Sequence, residues 1–327
     1  MSSDIFEERV NLKPYEYDDF LDFKDAIRHS YWVHDEFNFD GDIQDFKVEC
    51  TDAERSIIKR TMLAIAQIEV SVKTFWADIY HKMPKPEVAG VGMTFAESEV
   101  RHHDAYSHLL ELLGMNEEFD RIEEIPALAD RIDYLDDYMR NGEDVTSKRD
   151  VALSILLFSI FIEHVSLFSQ FLIMLSFDKH TKRFKGIANA VEATSKEEQI
   201  HGLFGVELIE TMKEEHPEWF DEEFEKEIKD FCRKAEKAEM KVLDWIFEEG
   251  ELDFLPRKTI NAFVRDKFNR SLNNVGYDPI FDPDESRLED TKWFYEEILL
   301  TKGGDFFQKR STSYSKMTQS VSGDDLF

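Results

Sequence analysis

Apolar residues recur along most of this chain with the spacing of one helix face, and polar residues fill the positions between them. The alternation of period two that is typical of strands is nearly absent. Glycine (13 residues) and proline (8 residues) are scarce for a chain of 327 residues. Both features predict an all-α protein built from long helices.

Start and stop signals divide this pattern into segments. The first long helix begins at the capping box 51-TDAE-54 and runs to the break at 83-MPKPE-87. Later helices end at Gly114, at 141-NGED-144 and before Pro217. After the first helix, the predicted helices cover residues 91–114, 124–140, 148–177, 182–215, 218–249, 256–275 and 285–300.

The two ends of the chain differ from this helical body. Residues 1–30 are acidic and aromatic and are predicted to form an irregular arm. Residues 311–327, STSYSKMTQSVSGDDLF, are rich in serine and lack apolar periodicity. We therefore expect one domain over residues 1–310, followed by a disordered tail.

Charge and composition exclude several classes of protein. With 40 basic and 70 acidic residues the formal net charge is −30, which disfavours binding to nucleic acid or to anionic lipid. Cys50 and Cys232 have no metal or redox spacing, so they are expected to be reduced thiols of a cytoplasmic protein. The apolar run 151–177 carries Glu163 and His164 at its centre and is predicted to be a buried helix, not a membrane span.

Residues that could bind a metal lie on four of the predicted helices. The segment 97-ESEVRHHDAYSH-108 contains a Glu-x-x-His motif, and 198-EQIH-201 repeats it. Two further predicted helices each carry a glutamate within an apolar stretch. In chain order the candidate metal ligands are Glu69, Glu99, His102, Glu163, Glu198 and His201.

This order of carboxylates and histidines is typical of dimetal carboxylate sites in ferritin-like four-helix bundles. Two divalent ions need about four negative charges, which bridging carboxylates supply, and each histidine adds a neutral nitrogen. One Glu-x-x-His motif alone would mostly be chance, but an unpaired buried glutamate is costly and needs a partner. Neighbouring acids and histidines fall on other faces or lack partners, and they are expected at the surface or behind the ligands, namely Glu97, His103, His108, His164 and Glu192.

With these motifs, the sequence from about residue 20 onward resembles the small, radical-generating subunit of class I ribonucleotide reductases. Tyr106, followed by 107-SHLLELLG-114, stands where this family commonly has its radical tyrosine. Trp32 lies 37 residues before Glu69, like the tryptophan of the family's electron path. Tyr314 and the ending 323-GDDLF-327 match the tail that docks on the large subunit.

The resemblance implies a mechanism. The six candidate ligands would hold a dinuclear centre of two ions per chain, which reacts with an oxygen species. The oxidising equivalent would reside on Tyr106 or on the metals and pass through Trp32, Glu197 and Tyr314 to the large subunit. There it would drive the reduction of ribonucleotides to deoxyribonucleotides. The resemblance also implies a homodimer, with faces of the first two long helices in the interface.

Three positions depart from the common family pattern. Glu69 stands where the first ligand is often aspartate, and Glu197 stands where iron-tyrosyl members usually have aspartate. Thr194, one turn before Glu198, is polar where the pocket around the radical is usually apolar. A glutamate at the first position resembles the manganese-containing subclasses, so manganese is favoured over iron or a mixed manganese–iron centre.

Three alternative interpretations fit the sequence less well. A stand-alone ferritin-like oxidase or oxygenase could use the same six ligands, but it would need no tail with Tyr314 and no Trp32. Metal storage leaves the helices after residue 218 without a role. An inactive structural relative is the weakest alternative, because no ligand position is missing.

Overall fold

The computed structural model describes residues 4–140 and 147–299. The α-helices are α1 Leu21–His29, α2 Asp40–Gln44, α3 Asp52–Lys82, α4 Pro86–Leu113, α5 Asn116–Phe119, α6 Pro126–Arg140, α7 Lys148–Leu157, α8 Phe168–Thr181, α9 Lys185–Glu215, α10 Glu222–Ile246, α11 Arg257–Asn274 and α12 Glu285–Leu288. Segments of π-helix cover Asp45–Glu49, Phe158–Ser166 and Phe294–Leu299. Short 3₁₀ turns cover Asp18–Phe20, His34–Glu36, Ile122–Glu124, Pro217–Trp219 and Glu289–Thr291. Within these ranges the β pairing is a single antiparallel bridge between Leu252 and Leu255, so the all-α prediction is confirmed.

The ends of the long helices follow from their sequences. At the start of α3, the Thr51 hydroxyl accepts from the Glu54 amide at 3.2 Å, and the Glu54 carboxylate accepts from the Thr51 amide at 2.9 Å. This is the predicted capping box. Helix α4 has Pro86 in its first turn and ends at Gly114, whose φ of 71° is left-handed and suits glycine. Antiparallel α3 and α4 are the most extensively packed pair of helices.

The predicted helix 148–177 extends to Thr181, and its middle differs from the prediction. Helices α7 and α8 are joined by the π-helix Phe158–Ser166, which contains Glu163. By length and composition Lys148–Thr181 could cross a membrane, but 94% of its most apolar window is buried inside the protein. It packs against α9, α11 and α3, so the prediction of a buried helix is confirmed.

The structure differs from the predictions for the N-terminal arm and for the last helix. The N-terminal arm is not irregular throughout, because Leu21–His29 forms α1, which buries Phe23 and Ile27 against α4 and α9. The helix predicted over 285–300 is broken into α12, a 3₁₀ turn and the last π-helix. The predicted tail over residues 311–327, with Tyr314, lies outside the described residues.

Candidate metal centre

The six candidate ligands come from four different elements and meet in the interior. Helix α3 contributes Glu69, the π-helix contributes Glu163, and α4 and α9 each contribute a Glu-x-x-His pair. All six residues have 0% exposure to solvent. A helix repeats every 3.6 residues, so a glutamate and a histidine three positions apart lie on the same face and point to the same place.

The ligand atoms form two groups. In the first group, His102 Nδ1 lies 3.3 Å from Glu99 Oε2, 3.0 Å from Glu198 Oε1 and 3.9 Å from Glu69 Oε2. In the second group, His201 Nδ1 lies 2.9 Å from Glu99 Oε1, 3.3 Å from Glu198 Oε2 and 3.6 Å from Glu163 Oε2. Each group could hold one ion.

Two carboxylates belong to both groups. Glu99 and Glu198 each direct one oxygen towards His102 and the other towards His201. Glu69 and Glu163 belong to one group each. The two groups therefore share two carboxylates and have one carboxylate each of their own, a division that the sequence pattern left open.

The donor atoms fit a pair of cations. Among the described residues, neither oxygen of Glu99 or Glu198 and neither Nδ1 of the two histidines has a partner in hydrogen-bond geometry. Buried polar atoms are almost always hydrogen-bonded, and orphaned ones indicate an ion or another ligand. Four carboxylates and two imidazole nitrogens also match the charge and the preferences of two divalent transition-metal ions.

Burial and mutual repulsion disturb the titration of these groups. Burial raises the pKa of Glu69 to about 8. Burial and the charge of Glu99 raise the pKa of Glu198 well above its ordinary value. Burial opposes a charge on His201, but the Glu99 carboxylate raises the pKa of His201 to about 10. Protons thus balance part of the buried negative charge, and cations that bind here displace them.

The second nitrogen of each histidine has a defined partner. His102 Nε2 lies 2.8 Å from Glu197 Oε2, and His201 Nε2 lies 3.0 Å from the Ser98 hydroxyl. Such outer contacts fix the tautomer and the orientation of a metal-binding imidazole. Ser98 carried no signal in the sequence, because its contact joins α4 to α9.

Two tryptophans donate to the carboxylates of this region. The Trp32 indole N–H donates to Glu197 Oε2 at 3.1 Å, which gives a continuous hydrogen-bonded connection Trp32–Glu197–His102. The Trp32 and His102 rings are also stacked, with centroids 5.7 Å apart. The Trp76 indole N–H donates to Glu163 Oε1 at 2.9 Å, so Trp76 on α3 orients a candidate ligand of the π-helix.

Tyr106 is buried one turn beyond His102 on α4. Burial and the nearby Glu69 raise the pKa of its phenol well above the ordinary value, and the Thr194 hydroxyl acts in the opposite direction. The phenol is therefore held protonated, with Thr194 as a polar neighbour.

The five acids and histidines that were expected outside the ligand set lie partly at the surface and partly in the interior. Glu97 is half-exposed and pairs with Arg101 at 3.0 Å, and Glu192 pairs with Lys196. His103 and His108 are partly exposed. His164 is not a surface residue: it is buried, and burial lowers its pKa to about 3, so its ring is neutral.

The fold and the two ligand groups define a ferritin-like helical protein of the dimetal-carboxylate class. A family model described as ribonucleotide reductase, small chain, matches residues 9–289. The chain therefore belongs to the small-chain family of ribonucleotide reductases.

Individual proteins resemble this chain in sequence or in fold. A probable ribonucleoside-diphosphate reductase small subunit of Invertebrate iridescent virus 3 is 26% identical over 335 aligned residues, covering 98% of this chain and 87% of the relative. The structure of the ribonucleotide reductase R2 subunit from Clostridium botulinum superimposes with a TM-score of 0.78 at 17% identity, covering 85% of this chain and 88% of that one. An R2-like ligand-binding oxidase with a Mn/Fe cofactor has a TM-score of 0.69 at 17% identity, covering 81% and 95%.

Proposed function

We propose that this chain is the radical-generating small subunit of a ribonucleoside-diphosphate reductase. With a large subunit it would reduce ribonucleotides to deoxyribonucleotides. Membership of the small-chain family supports the proposal. The single observation that carries it is the connection Trp32–Glu197–His102, which leads from the buried ligand cluster to Trp32, the chain neighbour of the exposed Tyr31.

We propose that Glu69, Glu99, His102 and Glu198 hold one ion and that Glu99, Glu163, Glu198 and His201 hold the other. When bound, the two ions supply the oxidising equivalent. The protein's own part is to exclude water and to present fixed donors, since every ligand is fully buried.

Tyr106 is the candidate site of a protein radical. Its protonated phenol can give up one electron and one proton, and the carboxylates of Glu69 and Glu198 are the nearby groups that raise its pKa. Trp32 and Glu197 would carry the oxidising equivalent away from the ligand cluster, and Tyr314 in the tail would carry it to the large subunit.

For the metals, we propose manganese over iron or a mixed manganese–iron pair. The glutamate at the first ligand position, Glu69, supports this choice through its resemblance to manganese-containing subclasses. Metal analysis showing only iron in protein from manganese-replete cells would contradict it.

We propose a cytoplasmic homodimer as the assembly. Val70 on α3 and Met93 and Val100 on α4 are exposed apolar side chains on the two helices that the family resemblance places in the interface, which supports this assembly. Residues 1–310 would form the folded domain, and residues 311–327 would dock on the large subunit. A chain truncated after residue 310 should keep its metals and lose its response to the large subunit.

Low-temperature EPR with metal quantification tests the central proposal, on full-length protein expressed with manganese and iron supplied. A narrow signal near the free-electron position that disappears in Tyr106→Phe would place the radical on Tyr106. A multiline manganese signal that persists in Tyr106→Phe would place the oxidising equivalent on the metals. Two bound metals with neither signal, together with turnover of a small organic substrate without a large subunit, would favour the stand-alone oxidase instead.

A further inference from the structure

Arg101 makes a set of contacts around Glu197 that the mechanism above does not use. Arg101 is 4% exposed, and its guanidinium lies between Glu197 and the backbone of Trp32. Nη1 donates to Glu197 Oε2 at 3.2 Å and to the Trp32 carbonyl at 3.1 Å, and Nη2 donates to Glu197 Oε1 at 3.1 Å. This forked pairing joins α4 to α9 and to the segment before α2.

The two oxygens of Glu197 have different partners. Oε2 accepts from the Trp32 indole and from His102, as well as from Arg101. Oε1 accepts from Arg101 alone among the described residues. Arg101 therefore fixes the plane of the carboxylate, and this orientation directs Oε2 between the two rings that it connects.

The buried charge of Glu197 also requires the contact with Arg101. Glu197 is fully buried, and a buried carboxylate is costly without a paired cation and hydrogen-bond donors. The guanidinium supplies a permanent charge and two parallel donors, a geometry that lysine cannot reproduce.

The surroundings hold Arg101 itself in place. Its Nε donates to Glu97 Oε2 at 3.0 Å. Its Cζ lies 4.6 Å from the centroid of the Tyr31 ring, which is 56% exposed, and 5.6 Å from the centroid of Trp32. Tyr31 thus covers the guanidinium on the solvent side.

We propose that Arg101 is a positioning residue that holds Glu197 in the orientation needed to accept from Trp32 and His102 at the same time. This role deepens the proposed function and rests on it. Loss of the forked contact frees Oε1, lets the carboxylate rotate, and weakens the hydrogen bond from the Trp32 indole.

Hydrogen exchange of tryptophan indole N–H groups tests this, on the full-length, metal-free chain labelled with ¹⁵N-tryptophan. Trp32 and Trp76 are assigned from Trp32→Phe and Trp76→Phe. Trp76 is an internal control, since its indole is bound to a buried glutamate of the same cluster without touching Arg101. In Arg101→Lys we expect the Trp32 N–H to exchange at least about tenfold faster and that of Trp76 to change by less than about twofold.

Arg131→Lys is the matched control variant, because Arg131 is also buried and makes no hydrogen bond to Glu197. It should leave the exchange of the Trp32 N–H unchanged. Unchanged Trp32 exchange in Arg101→Lys would overturn the proposal. Equal acceleration of Trp32 and Trp76 would overturn it too, since that result reports general destabilisation.

If Arg101→Lys does not fold, the neutral pair Arg101→Met/Glu197→Gln replaces it, and fast Trp32 exchange is again the expected result. In metal-loaded protein with a large subunit, Arg101→Lys should keep the wild-type amount of EPR signal per metal pair while turnover falls at least about tenfold. If wild-type protein gave no radical signal, the proposed function would fail, whereas the exchange result would still decide the role of Arg101.

Discussion

Gly205 on α9 offers a sharp test of how tightly the π-helix packs against the bundle. A Cβ added at Gly205 would lie 2.0 Å from Ser159 Cβ and 2.1 Å from Ser159 Oγ. Ser159 is fully buried in the π-helix that also carries Glu163. Because carbon atoms in contact need about 3.5–4.0 Å, α9 and the π-helix would have to move apart by about 1.5 Å in Gly205→Ala.

The expected magnitude follows from two opposing effects. Overpacking a dense core costs about 1–3 kcal/mol, whereas replacing glycine by alanine within a helix gains about 1 kcal/mol. For Gly205→Ala we therefore expect a net loss of about 0–2 kcal/mol in the free energy of unfolding. Gly90→Ala on α4 is the matched control, since its nearest neighbour is Lys24 Cδ at 3.9 Å. That variant should gain about 0.5–1 kcal/mol.

Urea unfolding of the metal-free variants, followed by far-ultraviolet circular dichroism at one protein concentration, measures both changes. A second measurement is metal binding, because displacement of the π-helix moves Glu163 away from His201. Binding of one of the two ions should weaken in Gly205→Ala and stay normal in Gly90→Ala. If Gly205→Ala were as stable as Gly90→Ala, the close packing inferred at Ser159 would be refuted.

Three further pairs of substitutions probe the ligand cluster and its supports. Glu198→Ala removes a carboxylate that both ligand groups share and should abolish binding of both ions, whereas Glu163→Ala should leave one ion, as counted by elemental analysis. Two bound ions in Glu198→Ala would contradict the proposed sharing of Glu198. Ser98→Ala removes the hydroxyl partner of His201 and should lower the metal affinity about 10–100-fold. Ser107→Ala, at an exposed position of the same helix, should leave the metal affinity unchanged in the same titration. Trp76→Phe leaves Glu163 Oε1 without its donor and should cost about 1–3 kcal/mol in urea unfolding. Trp293→Phe, whose indole N–H has no hydrogen-bond partner among the described residues, should cost much less, and equal costs would argue against the Trp76 bond.

Periodicity and capping signals predicted most of the helical body. Thr51 and Gly114 mark helix ends within one residue of where the structure has them, because capping is a local interaction. The six candidate ligands could be selected because each stands on a helix face with a fixed spacing. The helix α1 was missed, although Phe23, Ala26 and Ile27 follow helical spacing and would have indicated it.

Other features depend on contacts between distant parts of the chain. Trp76 and Glu163 are 87 residues apart, and Arg101 and Glu197 are 96 residues apart. No local pattern reports such pairs. The π-helix was missed for a related reason: the apolar run around Glu163 is unbroken, and a π-turn has no distinct composition. The π-helix lies at the candidate ligand Glu163, and π-turns are often found at functional sites.

The apolar helix Lys148–Thr181 has a consequence for synthesis of the protein. Until α9 and α11 have emerged and covered it, the nascent chain exposes a segment long and apolar enough to enter a bilayer. Glu163 sits near its middle, and a carboxylate at the centre of a membrane-spanning helix raises the cost of insertion by about 2.5–3.5 kcal/mol. The glutamate that we assign to metal binding thus also opposes misdirection of the unfinished chain to the membrane.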